Sequence, residues 1–409
     1  MWPSDGSCRR AYSLLRLNAY NQLMLFTAVL YLMSTQTPKL DFKELEHNIV
    51  SNRGAAAALV RKHIPADELS KGANPREQGT KVLFALDAGT GKHTVTMTNK
   101  GKTMIHLAQM GESSLYIALQ DFNSGDAYLL DYQVDGKTVR GGLQVEVYDP
   151  NPFTLAPEGG RKGELRDMGE WKSQIYDGTT RKWYIYLPPH LDPAKEYPVL
   201  IATDAQWDRD WIANGLENSA KNGLIPPTVG IFIEPGQNTP GTYSNRSHEY
   251  DSLSPKYTEF LLNEILPQVE KVVKLSKDPT KRALTGMSSG GICSFTACWE
   301  RPDQFGTAIS FIGSFANIAS GESKREGGHN YPFLIRKNEK RPIRVFLQDG
   351  ENDLNNDHGS WWICNLQMES ALKFKGYDYV WVPGKGFHNT KHARRVFEQA
   401  LSWWLNPKL

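Results

Sequence analysis

The 409-residue sequence predicts an α/β protein: a mostly parallel central sheet flanked by helices, preceded by a small β-sandwich module. Three observations carry this expectation. Short alternating apolar stretches punctuated by Gly, Asn and Asp fill residues 79–150, at the roughly 8–12-residue spacing of a sandwich. Strand-like and helix-like patterns then alternate over residues 160–409, as repeated strand–helix–strand units require. Between the two lies a Pro/Gly-rich joint, Asp149-Pro150-Asn151-Pro152 through Gly159-Gly160.

At the N-terminus, Arg9, Arg10 and Arg16 precede an apolar run, Leu23 to Met33, and Ser34-Thr35-Gln36-Thr37 follow. A basic stretch followed by about 7–15 apolar residues reads as a secretory signal, and the run falls short of the about 20 that a membrane span needs. Residues 1–36 are therefore expected to be a signal peptide or N-terminal anchor on an exported protein with no stable membrane span after processing. Without such a signal the location is cytoplasmic. Residues 37–78 read as a helix around Gly54–Val60 and a linker from Pro65 to Gly79.

In the β module, "KVLFAL", "HTVTMT", "TMIHLA", "SLYIAL", "AYLLDYQV" and "GLQVEVY" are the expected strands. "DAGTGKHTV" superficially matches a phosphate-binding loop. Leu86 stands where that loop needs glycine, His93 replaces the Ser/Thr after Lys92, and a strand follows instead of a helix. It is read as a hairpin turn. Beyond the joint, the expected strands are 183–187, 199–203, 229–233, 283–285, 308–311, 343–348 and 379–382. The expected helices are 257–272, 291–300, 361–375 and 392–405.

Composition narrows the function. A formal net charge of +2 gives no bulk attraction to nucleic acid or an anionic membrane. Cys8, Cys293, Cys298 and Cys364 form no CxxC pair, so no zinc site is expected, and no other metal or cofactor is indicated. Cys293 and Cys298 read as small apolar residues on one helix, and a disulfide at Cys364 is left open.

The chemistry concentrates at "RALTGMSSGGICSFTACW", residues 282–299. Gly286-x-Ser288-x-Gly290 sits between a strand and a helix, the setting of a nucleophile elbow. There the serine occupies a strained turn. The positions two before and two after it must lack bulk, because strand and helix pass close. Ser288 is the candidate nucleophile; Ser289 supplies the first oxyanion N–H. A serine needs a base, and the base needs a carboxylate to orient it. In this architecture the order is Ser, acid, His. The loop Asp349–Asp357 follows a strand, with Asp353 as the preferred acid and Asp349 as the alternative. "VPGKGFHNTKH" follows the last strand, with His388 preferred over His392 as base. The second oxyanion donor is expected from the loop after "PVLIAT", at the backbone N–H of Ala205 or Gln206. Trp207 is a candidate for the rim.

The stretches "NRSHEYDSLSPKYTEFLLNEILPQVEK", "GMSSGGICSFTACWERPDQFG", "GSF", "FLQDGENDL" and "GFHNTKH" together resemble the enterochelin (enterobactin) esterase family, esterase-D-type members of the α/β-hydrolase superfamily. The resemblance covers roughly residues 165–405, and the combined motifs are far more specific than the elbow alone. It implies a serine carboxylic-ester hydrolase working through an acyl-enzyme, with Ser288, His388 and Asp353 in the family's catalytic positions. It also implies that Arg246 and Glu249 lie beside the site, where the arginine meets a substrate carboxylate or catecholate and Glu249 holds it, or where the two merely brace a loop. The expected substrate is a small-molecule, siderophore-like ester or a carbohydrate-linked feruloyl or acetyl ester. Asp204-Ala205 replaces the family's usual Asp-Gly, and "IASGESKREGGHNYP" is longer and more charged than its counterparts. Acyl transfer on the same scaffold and a non-catalytic glycan-binding scaffold are the alternatives.

Overall fold

The computed structural model describes residues 40–239, 241–319 and 326–406. The expected signal at 1–36, Cys8 and the charged stretch 320–325 lie outside them. The chain forms two compact units.

The first unit gathers residues up to Arg76 with Leu83–Leu119 and Asp131–Gly141. Its helix Phe42–Ser51 starts where the Asp41 carboxylate accepts the Lys43 N–H, and its helix Arg53–His63 starts where Asn52 accepts the Ala55 N–H. Leu45, Ala56 and Val60 bury against Leu83, Ala85, Met110 and Ile117 in one apolar cluster. The expected linker at 65–79 is structured, with a helix at Ala66–Leu69 and a strand at its end.

The strands of the N-terminal half are β1 (Arg76–Gln78), β2 (Lys81–Asp87), β3 (Val95–Asn99), β4 (Lys102–Gln109), β5 (Leu115–Asp121), β6 (Ala127–Val134) and β7 (Lys137–Glu146). They are linked in the order β1-β2-β5-β4-β3-β6-β7, with β4 meeting β5 only through Ala108 and Gln109. Period-two alternation marks a strand but says nothing about which edges meet. For the same reason the stretch 88–94 is no hairpin. It carries the chain from β2 past β5 and β4 to β3, and Asp135 holds it by accepting from the Thr94 N–H while pairing with His93 Nδ1, each at 2.8 Å.

The second unit includes Gly142–Leu409 and is built on an eight-stranded sheet. Its strands are β8 (Glu164–Lys172), β9 (Thr180–Leu187), β10 (Val199–Ala202), β11 (Val229–Ile233), β12 (Arg282–Met287), β13 (Thr307–Phe311), β14 (Arg344–Gly350) and, after a small hairpin of β15 (Asn355–Asn356) and β16 (Gly359–Ser360), β17 (Asp378–Gly384). The order is β17-β14-β13-β12-β10-β11-β9-β8. All neighbours from β17 to β11 run parallel; β9 is antiparallel to both β11 and β8. Side chains alternate between two cores. Val199, Ile201 and Leu284 join one with Phe295 and Trp299, whereas Leu200, Ala202 and Ala283 join the other with Trp211 and Phe397. Burial on both faces is why these strands read as continuous apolar runs.

One helix, Ala205–Lys221, was not visible in the apolar pattern. It buries Trp211, Ile212 and Leu216 in the second core but also polar side chains: Asn218 donates to the Phe153 and Leu155 carbonyls, and Glu217 accepts the Lys162 and Gly163 N–H groups. Gly215 sits mid-helix because a Cβ there would lie 2.6 Å from the Phe397 ring. The expected helix 257–272 is divided by a π-helical turn at Leu261–Ile265.

The topology sets the functional geometry. β10 lies between β11 and β12, so the chain leaves it on one side and returns on the other. At such a switch point, loops at the carboxyl ends of neighbouring strands open a crevice. Two helices begin there, Ala205–Lys221 after β10 and Ser289–Glu300 after β12.

Candidate active site

Ser288 joins β12 to the helix Ser289–Glu300 with φ 58° and ψ −122°. A non-glycine residue in that region carries strain of about 1–3 kcal/mol, and the surroundings hold it there. The Ser288 N–H donates to the Phe311 carbonyl, and its own carbonyl accepts from Gly291, Ile292 and Ser314 N–H groups. The two flanking glycines are sterically required. A Cβ on Gly286 would lie 2.6 Å from the Gly290 carbonyl carbon, and a Cβ on either glycine would collide with the Thr203 hydroxyl.

Beside the elbow, Asp204 adopts a left-handed conformation, φ 56° and ψ 42°, ahead of Ala205. Ala205 and Ser289 are each the first residue of a helix, where backbone N–H groups have no intrahelical acceptor and the helix dipole favours negative charge. Arg246 fixes the Asp204 turn through two bonds of 2.7 Å, Nε to Oδ1 and Nη2 to Oδ2. Both polar atoms of the Gln206 amide are buried without a hydrogen-bond partner.

The loops after β14 and β17 lie against each other. The Glu351 N–H donates to the Gly384 carbonyl at 2.9 Å and the Asn352 N–H to the Gly386 carbonyl at 3.2 Å. A Cβ on Gly350 would sit 2.7 Å from the Gly386 carbonyl carbon, so this approach needs glycine. It places Asp353 and His388 together: His388 Nδ1 is 2.5 Å from Asp353 Oδ1, and His388 Nε2 is 2.9 Å from Ser288 Oγ. Burial lowers the His388 pKa to about 4 and raises that of Asp353 to about 6. Asp349 is more deeply buried. Desolvation, and then the neighbouring Asp353 carboxyl, raise its pKa. Its other contacts are the Gly350 N–H and the Asn365 amide.

Two expectations change here. Glu249 holds no arginine at the site: it is fully buried and paired with Arg181, Nη2 to Oε1 at 2.9 Å, so it has no access to substrate. Arg246 spends its guanidinium edge on Asp204. Both residues sit on one short helix, Arg246–Tyr250, but their side chains reach different partners. His392 is also separate, accepting from the Gln348 amide and stacked on Tyr148 at 5.2 Å. Trp207 remains 44% exposed, edge-on to Tyr243 with ring centroids 6.2 Å apart. Cys293, Cys298 and Cys364 are free thiols.

Sequence reasoning missed Glu146, at the end of β7. Its Oε2 accepts the Phe387 N–H at 2.9 Å and the Asn389 amide at 2.6 Å, bracketing His388 on both sides. Burial raises its pKa. Nothing in an alternating strand marks such a residue. Glu146→Ala leaves the buried Phe387 N–H and the part-buried Asn389 amide without this acceptor and is expected to cost about 2 kcal/mol of stability, measured by denaturant unfolding.

Residues 173–402 match the Esterase family, described as "Putative esterase". The chain is 28% identical over 167 residues to the iron(III) enterobactin esterase of Dickeya dadantii, an alignment covering 40% of this chain and 36% of that enzyme. It thus spans little more than a third of that relative's length. It is also 26% identical over 246 residues to the uncharacterized protein YbbA of Bacillus subtilis, covering 54% of this chain and 92% of YbbA. Among solved structures, the enterobactin esterase of Shigella flexneri crystallised with enterobactin superposes with a TM-score of 0.58 at 16% identity, covering 82% of this chain and 97% of that one. The last likeness concerns the fold alone.

Proposed function

Because the chain belongs to the Esterase family, we propose that it is a serine carboxylic ester hydrolase in which Ser288 is the nucleophile, His388 the base and Asp353 the orienting acid. The observation that carries this reading is the bridging imidazole, with one nitrogen 2.9 Å from Ser288 Oγ and the other 2.5 Å from Asp353 Oδ1. Ser288 attacks the ester carbonyl as His388 Nε2 takes its proton. The tetrahedral oxyanion faces the Ser289 and Ala205 N–H groups. His388 returns the proton to the leaving alcohol, then activates water against the acyl-enzyme. Asp353 keeps Nδ1 protonated so that Nε2 stays free to accept.

The proposed substrate is a siderophore-like ester or a carbohydrate-linked feruloyl or acetyl ester. The exposed Trp207 and the adjoining Tyr243 offer an aromatic face to an aryl or sugar ring. The basic-then-apolar stretch at 9–33 supports export of the chain. Incubation with a catecholate trilactone, feruloyl and acetyl sugar esters and p-nitrophenyl acetate, read by mass spectrometry, tests the activity. Release of a free acid from at least one is expected; a folded protein that cleaves none refutes the reading.

The pH dependence follows from His388. Burial disfavours the imidazolium, so the neutral, proton-accepting form persists below the ordinary value of about 6.5. The acid limb of kcat/KM is therefore expected below pH 6.5, with activity lost as pH falls through the lowered value. A midpoint at or above 6.5 contradicts this.

A further inference from the structure

Behind the nucleophile lies a second hydroxyl that the mechanism above does not use. Ser314 Oγ is 3.1 Å from Ser288 Oγ, and Trp361 Nε1 is 3.0 Å from the same Ser314 oxygen. Ser314 and Trp361 are 1% and 2% exposed, so water does not compete for these bonds. We propose that Ser314 is a further catalytic residue whose hydroxyl donates to Ser288 Oγ, and that Trp361 is a positioning residue that fixes the direction of that bond. The inference rests on the reading of Ser288 and His388 as nucleophile and base.

The argument is one of polarity. An indole N–H can only donate, and an ionised carboxylate can only accept. Trp361 stands at one end of the chain of bonds and Asp353 at the other, with Ser314, Ser288 and His388 between. Each group then has one consistent role. Trp361 donates to Ser314, Ser314 to Ser288, Ser288 to His388 Nε2, and His388 Nδ1 to Asp353. Without the indole donor, nothing orients the Ser314 hydroxyl, and both of its lone pairs are free to accept from Ser288. The Ser288 proton then has a second place to point, away from the base.

The surrounding structure holds this arrangement. The Ser314 N–H donates to the Ser288 carbonyl at 3.0 Å, tying the two residues through the backbone as well. The Asn365 amide bridges the Gly313 carbonyl and Asp349 Oδ2, each at 2.9 Å, so the Ser314 turn is anchored to the carboxyl behind Asp353. The Trp361 ring also packs edge-on to His388, with centroids 5.8 Å apart.

In the reaction, the Ser288 proton moves to His388 Nε2 and Oγ bonds to the acyl carbon, while the carbonyl electrons pass to its oxygen. Negative charge developing on Oγ meets the Ser314 O–H. When the acyl-enzyme breaks down, the same donor faces the departing Oγ until His388 returns the proton. Ser314 and Trp361 lose no proton at any step.

The test is steady-state hydrolysis of p-nitrophenyl acetate by the full chain carrying Trp361→Phe, Ser314→Ala or both, with Ser288→Ala as control and thermal melts confirming folding. Phenylalanine keeps a ring against His388 and removes only the N–H. Each single variant is expected to lower kcat about tenfold with KM within about twofold, the effect of one hydrogen bond on the reacting oxygen. The double variant is expected to be no slower than Ser314→Ala, because Trp361 acts through Ser314. The acid limb of the pH profile should stay in place in all three, since His388 and Asp353 are untouched. Wild-type kcat in both single variants overturns the proposal, as do losses that multiply in the double variant, which assign Trp361 to its ring contact with His388. If those results accompany an inactive Ser288→Ala, the esterase reading stands without this inference; if the wild-type chain hydrolyses nothing, both fall.

Discussion

Replacing Ser288 with alanine is expected to lower ester turnover by about 10⁶-fold, the scale on which a catalytic serine acts when its base and oxyanion donors remain in place. The prediction is large because no neighbour can substitute. Ser289 is 3% exposed and begins the helix, where its contribution is a backbone N–H. Ser314 does not bond His388, which pairs with Ser288 on one side and Asp353 on the other. The variant should fold as the wild type, since Ser288 contributes its strained backbone to the turn and alanine meets the same strain. Near-ultraviolet circular dichroism checks the fold and p-nitrophenyl ester hydrolysis checks the rate. Turnover within tenfold of wild type would remove Ser288 from the chemistry.

Asp353→Asn is expected to lower kcat by about 10⁴-fold with little change in KM. Asparagine is nearly isosteric, so the loop should survive. It can present an N–H to His388 Nδ1, which favours the tautomer with the proton on Nε2, where it blocks acceptance from Ser288. Asp349→Asn is the matched comparison. Asp349 bonds the Gly350 N–H and the Asn365 amide and does not bond His388, so that variant should stay within about tenfold of wild type. The opposite ranking would make Asp349 the orienting acid. Measuring both with one ester decides between two carboxyls only four positions apart.

The parts of the site legible in the sequence are those fixed by local sterics and chain order. Gly286 and Gly290 signal the elbow because any Cβ there collides with neighbouring backbone or with Thr203. His388 and Asp353 were legible because each follows a strand of the parallel sheet and so reaches its carboxyl edge. What was not legible depends on contacts between distant segments. Arg246 and Glu249, three apart, suggested one pair, but Arg246 reaches Asp204 and Glu249 reaches Arg181. The helix Ala205–Lys221 hides because buried Asn214, Glu217 and Asn218, which satisfy loop backbone, interrupt its apolar Trp211, Ile212 and Leu216. Glu146 and Trp361 lie 242 and 27 residues from His388, and only the folded chain brings them to it.

The most direct test of the central claim is reaction of the full chain with a fluorophosphonate, followed by intact-mass and peptide mass spectrometry. The expected result is a single adduct on Ser288, absent from Ser288→Ala and strongly slowed in a His388→Ala variant. Folded wild-type protein that takes up no label, or carries it on another residue, would contradict the account.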